Sequence, residues 1–316
     1  MTSKASKPSQ LDPSALGTKE YWDNLYNREI SNHALDATDV GTIWFDDSSA
    51  EDKVVDFLNG EVFEKDLLGL GKGKRRRDYG LLDLGTGNGH FLVRLREGEE
   101  DSDEDEAEEE EEEEGRENEE TGKKWVGRMM GVDYSERSIE FAKRIAKDKL
   151  ESREEQGSEQ GNEIEFITWD IMKEDPSPKV LNGEQAKGWD IVLDKGTFDA
   201  ISLSEEVDAN GKRIFEGYKE KVLALVRTGG VAVVTSCNWT EEELIEWFVG
   251  KGEEQGERFE VLRKIEYRSF SFGGVKGQTK VVLRATARGV WFKHERRLQT
   301  RRGYRLALTA KIIIED

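Results

Sequence analysis

Residues 81–90 read Leu81-Leu82-Asp83-Leu84-Gly85-Thr86-Gly87-Asn88-Gly89-His90. The apolar run YGLLDLG (79–85) predicts a buried strand, and HFLVRLRE (90–97) has helical spacing. Between them, glycines at alternate positions let the backbone turn tightly and approach a ligand that a Cβ would obstruct. In α/β sheets ligands collect beyond the carboxyl ends of strands, which is where this turn falls.

Two chemistries compete for such a turn. The dinucleotide fingerprint G-x-G-x-x-G sets a pyrophosphate on a helix N-terminus. Here the third glycine position is His90, and the pattern that fits is D-x-G-x-G-x-G, led by Asp83. A carboxylate there disfavours a pyrophosphate and favours a cationic amino-acid or sulfonium ligand. The segment resembles motif I of class I S-adenosylmethionine (SAM)-dependent methyltransferases, with Asp83, Gly85, Gly87, Asn88 and Gly89 in the cofactor loop. The competing reading is an ordinary glycine-rich strand–helix turn.

Outward from this turn the chain alternates. WVGRMMGVDY (125–134), EIEFITWDI (163–171), WDIVLDKG (189–196) and VAVVTSCN (231–238) read as strands. SERSIEFAKRIAKDKL (135–150) reads as a helix capped by Ser135. RIFEGYKEKVLALVRT (213–228) reads as one ending at Gly229–Gly230, and TEEELIEWFVGKG (240–252) opens on a Thr240/Glu243 capping box. FEVLRKIEYRSFSFGG and QTKVVLRATA (259–274, 278–287) predict a closing antiparallel hairpin. The expected architecture is a doubly wound α/β domain, Rossmann-like, around a seven-stranded, mostly parallel sheet.

Composition sharpens the boundaries. The 316 residues carry 48 Lys+Arg and 68 Asp+Glu, a net charge of −20. Residues 97–120 alone hold 18 acids and one Arg, so the remainder has 50 acids and 47 bases. So dense a block of like charge predicts a disordered insertion, 97–122, inside a nearly neutral domain spanning 16–288. Residues 1–15 read as a disordered tail and 289–316 as a basic, then apolar, tail of no assigned role. The single cysteine, Cys237, excludes a disulfide framework or a Cys-rich zinc site and is expected to be a buried small apolar group. No stretch reaches the roughly 18 apolar residues needed to span a bilayer. The net charge argues against nucleic acid as a partner of the whole molecule.

The second predicted strand ends in Val132-Asp133-Tyr134. An acid at that position accepts hydrogen bonds from ribose hydroxyls about 20 residues past the glycines. Gly89 and Asp133 are 44 residues apart, and removing the 24 of the acidic block leaves 20. Asp133 as a plain helix cap is the alternative. Asp170 follows the third strand, where methyltransferases contact the adenine amino group; a turn aspartate is the alternative. Asp194-Lys195-Gly196-Thr197-Phe198-Asp199 follows the fourth strand and Ser236-Cys237-Asn238-Trp239-Thr240 the fifth. Asp194 and Asn238 are expected to position an amine, and Phe198 and Trp239 to wall its channel. For the fourth-strand segment, a solvated helix entry is the alternative.

GTKEYWDNLYNRE (17–29), DVGTIWFDD (39–47), LLDLGTGNG, DKGTFDAI and TSCNWTEEEL together are similar to the translation elongation factor 1-alpha lysine methyltransferases, a seven-β-strand, SAM-dependent family. The resemblance covers about residues 16–285; the acidic insertion and the tail after about Ala287 depart from it. It implies methyl transfer from SAM to the ε-amino group of a lysine on elongation factor 1-alpha in the cytoplasm; the expected form is a monomer, with neither membrane nor nucleic acid as a partner. It also implies that Tyr21, Trp22 and Trp44 line the cofactor pocket with Tyr134 nearby, although aromatic core staples would look the same. A SAM methyltransferase of another protein or of a small molecule is the alternative, since one fold serves many substrates. A binding module without turnover would be expected to have lost the Asp83/Gly85/Gly87/Asp133 set. A nucleic-acid role would rest on KHERRLQTRRGYR (293–305) alone. No general base is evident: His33 and His294 lie outside the motifs, and His90 reads as structural.

Overall fold

The structure is a computed structural model that describes residues 10–98, 123–154, 163–250, 258–265, 271–272, 275–276 and 279–286. The first nine residues, the acidic insertion beyond Gly98 and the 289–316 tail lie outside the described residues. The strands of the main sheet are β1 (Leu81–Leu84), β2 (Met129–Asp133), β3 (Glu165–Thr168), β4 (Trp189–Lys195), β5 (Val226–Ser236), β6 (Arg258–Lys264) and β7 (Thr279–Thr286). They form one seven-stranded sheet in the order β3-β2-β1-β4-β5-β7-β6. β1 to β5 pair in parallel, and β7 runs antiparallel between β5 and β6. This is the expected sheet with its closing hairpin.

The described residues form seven α-helices around the sheet: α1 (Lys19–Leu35), α2 (Ala50–Phe57), α3 (His90–Glu97), α4 (Glu136–Glu154), α5 (Thr197–Ser202), α6 (Tyr218–Leu225) and α7 (Glu241–Phe248). The strands alternate faces with period two. Val231 and Val233 join the core under α2, α3 and α4, whereas Ala232 and Val234 join the core under α5, α6 and α7. Both faces are buried, which is why the strands read as unbroken apolar runs rather than alternating ones. α1 lies outside α4, where Tyr26 packs on Phe141 and Ile145. Among the described residues no helix is long and apolar enough to cross a membrane.

Three local expectations change. The helix expected over 213–228 stops at Leu225, and the chain runs on as β5. Val226 is already extended and pairs with Trp189, so Gly229 and Gly230 sit at an irregularity of the β4–β5 ladder instead of capping a helix. The strand expected from residue 125 begins at Met129, because the Trp125 N–H donates to Leu95 O at 3.0 Å, at the end of α3. Residues 10–15, expected as tail, lie against the molecule: Ser14 N–H donates to Leu203 O at 3.0 Å.

Register brings the carboxyl ends of β1, β2, β4 and β5 to one edge. Leu84 stands between Val132 and Asp194, and Lys195 beside Thr235.

Candidate active site

The glycine turn follows β1 and opens α3. Gly85, Gly87 and Gly89 have φ of +61°, +59° and +72°, a region that side chains disfavour. A Cβ at Gly85 would lie 2.2 Å from Thr197 Oγ1, so packing against α5 demands that glycine. A Cβ at Gly87 would meet little except the Tyr26 hydroxyl, at 2.9 Å. Gly87 instead borders a cleft shared by Gly85, Asn88, Asp133, Tyr134, Asp170 and Trp44.

Asp133, Asn88 and Asp170 are each fixed by hydrogen bonds. Asp133 accepts from Ser135 N–H at 2.9 Å and from Gly87 N–H at 3.3 Å, which ties the end of β2 to the turn. Burial pushes its carboxyl up to about 6, because desolvation disfavours the charged form. Asn88 donates to Val40 O at 2.8 Å and accepts from His90 N–H at 3.1 Å, fastening the 39–45 segment over the turn. Asp170 accepts from Met172 N–H at 2.9 Å while still bordering the cleft, so a turn aspartate and a cleft position coexist at one residue. The segment before β1 supplies aromatic walls: Trp22 and Trp44 pack edge to face at 5.2 Å, and Trp22 stacks on Tyr26 at 6.3 Å. Trp22, Tyr26, Trp44 and Phe45 all border the cleft. Tyr21 lies behind, edge-on to Trp22.

Asp83 is buried beneath the turn and does not border the cleft. Burial pushes its carboxyl up to about 7, against the pull of Lys195.

The amine end differs from the sequence expectation. Asp194 is buried, accepting from Thr197 N–H at 2.8 Å, Phe198 N–H at 3.2 Å and the Tyr218 hydroxyl at 2.8 Å. It holds the start of α5, and burial pushes it up to about 7. Phe198 is core rather than channel wall, stacked between Tyr218 (5.4 Å) and Trp239 (5.7 Å). Trp239 is buried too, with its indole N–H on Ser202 Oγ at 3.2 Å. The residues that border the cleft here include Lys195, Asp199, Cys237 and Asn238. Asp199 accepts from Ser236 Oγ, from Cys237 N–H at 2.8 Å and from Cys237 Sγ at 3.3 Å. Cys237 is exposed, not a buried apolar group. His90 bonds Glu51 at 2.9 Å and is not a cleft residue.

Sequence reasoning missed Tyr26, Phe45, Lys195 and the cleft position of Asp199. Tyr26 could have been found from its place on the same helix face as Trp22. The other three carry no comparable signal.

Comparison with known proteins shows the family. The family model described as "Methyltransferase domain" matches residues 76–274. The chain is 34% identical to protein-lysine N-methyltransferase efm4 of Schizosaccharomyces pombe, over 87% of this chain and 95% of that protein. It is 34% identical to protein-lysine N-methyltransferase EFM4 of Saccharomyces cerevisiae, over 86% and 94%. It is 30% identical to EEF1A lysine methyltransferase 2 of Homo sapiens, over 86% of each chain. The family model and the near full-length relatives agree: the chain belongs to the methyltransferase-domain family, with the protein-lysine N-methyltransferases as its relatives.

Proposed function

We propose that the protein transfers a methyl group from SAM to the ε-amino group of a lysine on translation elongation factor 1-alpha. One observation carries the reading: a single cleft joins buried and half-buried acceptors at the ends of β2 and β3 to exposed Asn238 at the end of β5. The near full-length relatives named for this reaction supply the substrate.

The residues fit the cofactor. Asp133 presents a carboxylate for ribose hydroxyls and Asp170 one for the adenine amino group, both of which are donors. Gly87 keeps the turn low beside them, and the Trp44 indole N–H is buried with no acceptor of its own. When bound, SAM supplies an electrophilic methyl group on a sulfonium. The chain's own task is alignment, which accounts for most of the acceleration in such a displacement. A free lysine has a pKa near 10.4, so the site must favour the neutral amine. Partial desolvation between Phe45 and the β5 turn, together with the nearby positive charge, works in that direction. Asn238 accepts an amine N–H through its amide oxygen, and Asp199 takes the place that the sequence assigned to Asp194, as the cleft carboxylate of this end. The same reading has the protein act as a monomer in the cytoplasm.

The test is incubation with SAM and purified elongation factor 1-alpha, followed by mass mapping. A methyl-sized increment on one lysine is expected. No increment on any lysine, with SAM binding intact, would assign the chain to another protein or a small-molecule substrate.

A further inference from the structure

The acceptors at the ends of β2 and β3 suit the nucleoside part of the cofactor, whose ribose and adenine amino groups donate. The amino-acid tail ends in a carboxylate, which accepts only and needs donors. Among the described cleft residues the cations are Lys173 and Lys195. Lys173 stands on the nucleoside side, 2.7 Å from Glu206 and 3.9 Å from Asp170. Lys195 ends β4, one residue past Asp194, which is paired with Leu84 just before the glycine turn.

The Lys195 ammonium is fixed in place. It donates to the Trp44 carbonyl at 3.2 Å and sits 3.5 Å from Glu51, whose other oxygen bonds His90 at 2.9 Å. An ammonium has three donors, and these contacts leave capacity for another acceptor. Trp44, held by that same lysine, also borders the cleft and keeps its indole N–H buried without an acceptor. A buried donor left unpaired is costly unless a ligand pairs it. From these two donors on touching residues we infer that Lys195 and Trp44 form the subsite for the carboxylate of the cofactor's amino-acid tail. The inference rests on the SAM reading and is independent of which protein is methylated.

Calorimetry on the full chain with two ligands tests it. S-adenosylhomocysteine carries the tail; 5′-methylthioadenosine keeps the adenine, ribose and thioether but lacks it. Lys195→Gln should weaken S-adenosylhomocysteine at least ~10-fold, about 1.4 kcal/mol, and leave 5′-methylthioadenosine within about 2-fold. Trp44→Phe should give a smaller loss of the same selectivity, and Lys195→Arg should retain most of the affinity. Retained 5′-methylthioadenosine binding also reports that each variant is folded. Equal losses for both ligands would show that Lys195 only braces the 39–45 segment, and an unchanged S-adenosylhomocysteine affinity would remove it from the site; either result overturns the inference. Failure of the unmutated chain to bind S-adenosylhomocysteine would instead overturn the SAM reading itself.

Discussion

The two ends of the sheet are built from opposite materials. At the amino end, cations are paired inward: Arg96 donates to Trp125 O and Gly127 O, both at 2.9 Å, and the Arg76 guanidinium lies 4.0 Å over Phe63. Trp125 packs on Tyr79 at 5.4 Å and gives its indole N–H to Asn59 at 3.1 Å. At the carboxyl end, Asp83, Asp133, Asp194 and Asp199 are all buried, and burial raises every one of their pKa values. The amino end contributes stability. The carboxyl end holds charge out of water, a cost that binding and catalysis can exploit.

Changes at the two ends should therefore separate stability from binding. The largest effect is expected from Trp125→Ala, which empties a fully buried site and should cost about 3–5 kcal/mol in denaturant unfolding. SAM affinity of the folded fraction should be unchanged, and a parallel loss of affinity would mean that the ends are coupled. Gly87→Arg probes the other end. Its positive φ costs about 1–2 kcal/mol in a side-chain-bearing residue, yet the side chain enters the cleft, so calorimetry should detect no SAM binding, a loss of at least ~100-fold.

Asp194 marks where the division cuts through a single segment. Tyr218→Phe removes one of its hydrogen bonds and should lower stability by about 2 kcal/mol while sparing SAM affinity. Asn238→Ala, at an exposed cleft residue, should do the reverse, lowering kcat with little change in Tm. The sequence could not have divided these roles. Asp194 and Asp199 are five residues apart, both acidic, one near the end of β4 and the other in the first turn of α5. The helical start of α5 turns one carboxylate inward to its own N–H groups and leaves the other beside the β5 turn. The core positions of Phe198 and Trp239 are hidden for the same reason, since an aromatic residue beside a site looks the same from either side of the backbone. The glycine turn and Asp133 were legible because their constraints are local: a backbone that must adopt positive φ, and a spacing that survives subtraction of a low-complexity block. Lys195 was hidden because a lysine next to an aspartate reads as a neighbouring pair, whereas its partners are Trp44 and Glu51, more than 140 residues away.

A further effect should appear as pH dependence. The folded Asp83 carboxyl titrates at about 7, above its unfolded value of 3.8. The folded state therefore holds its proton more tightly, and stability falls as pH rises from about 4 through about 7. Asp83→Asn, a neutral isostere, should raise stability at pH 8, with the advantage shrinking as pH is lowered toward 4. Thermal melts across that range check the sign. An advantage that grew toward acid would place the buried charge elsewhere.

The smallest effect concerns the acidic block. Its described flanks belong to the amino end: α3 closes at Glu97–Gly98, and Trp125 N–H returns to Leu95 O at 3.0 Å. The chain thus leaves and re-enters the domain at neighbouring points, opposite the cleft. A short Gly/Ser linker in place of residues 99–121 can span them, and loop length enters stability only logarithmically. Unfolding free energy should move by less than about 0.5 kcal/mol and SAM affinity by less than about 2-fold, because both described flanks lie at the far ends of the strands from the cleft and salt screens charge over that distance. A clear drop in SAM affinity at physiological salt would mean that the most acidic segment of the chain acts on the site after all, and the separation of the two ends would then hold for packing but not for charge.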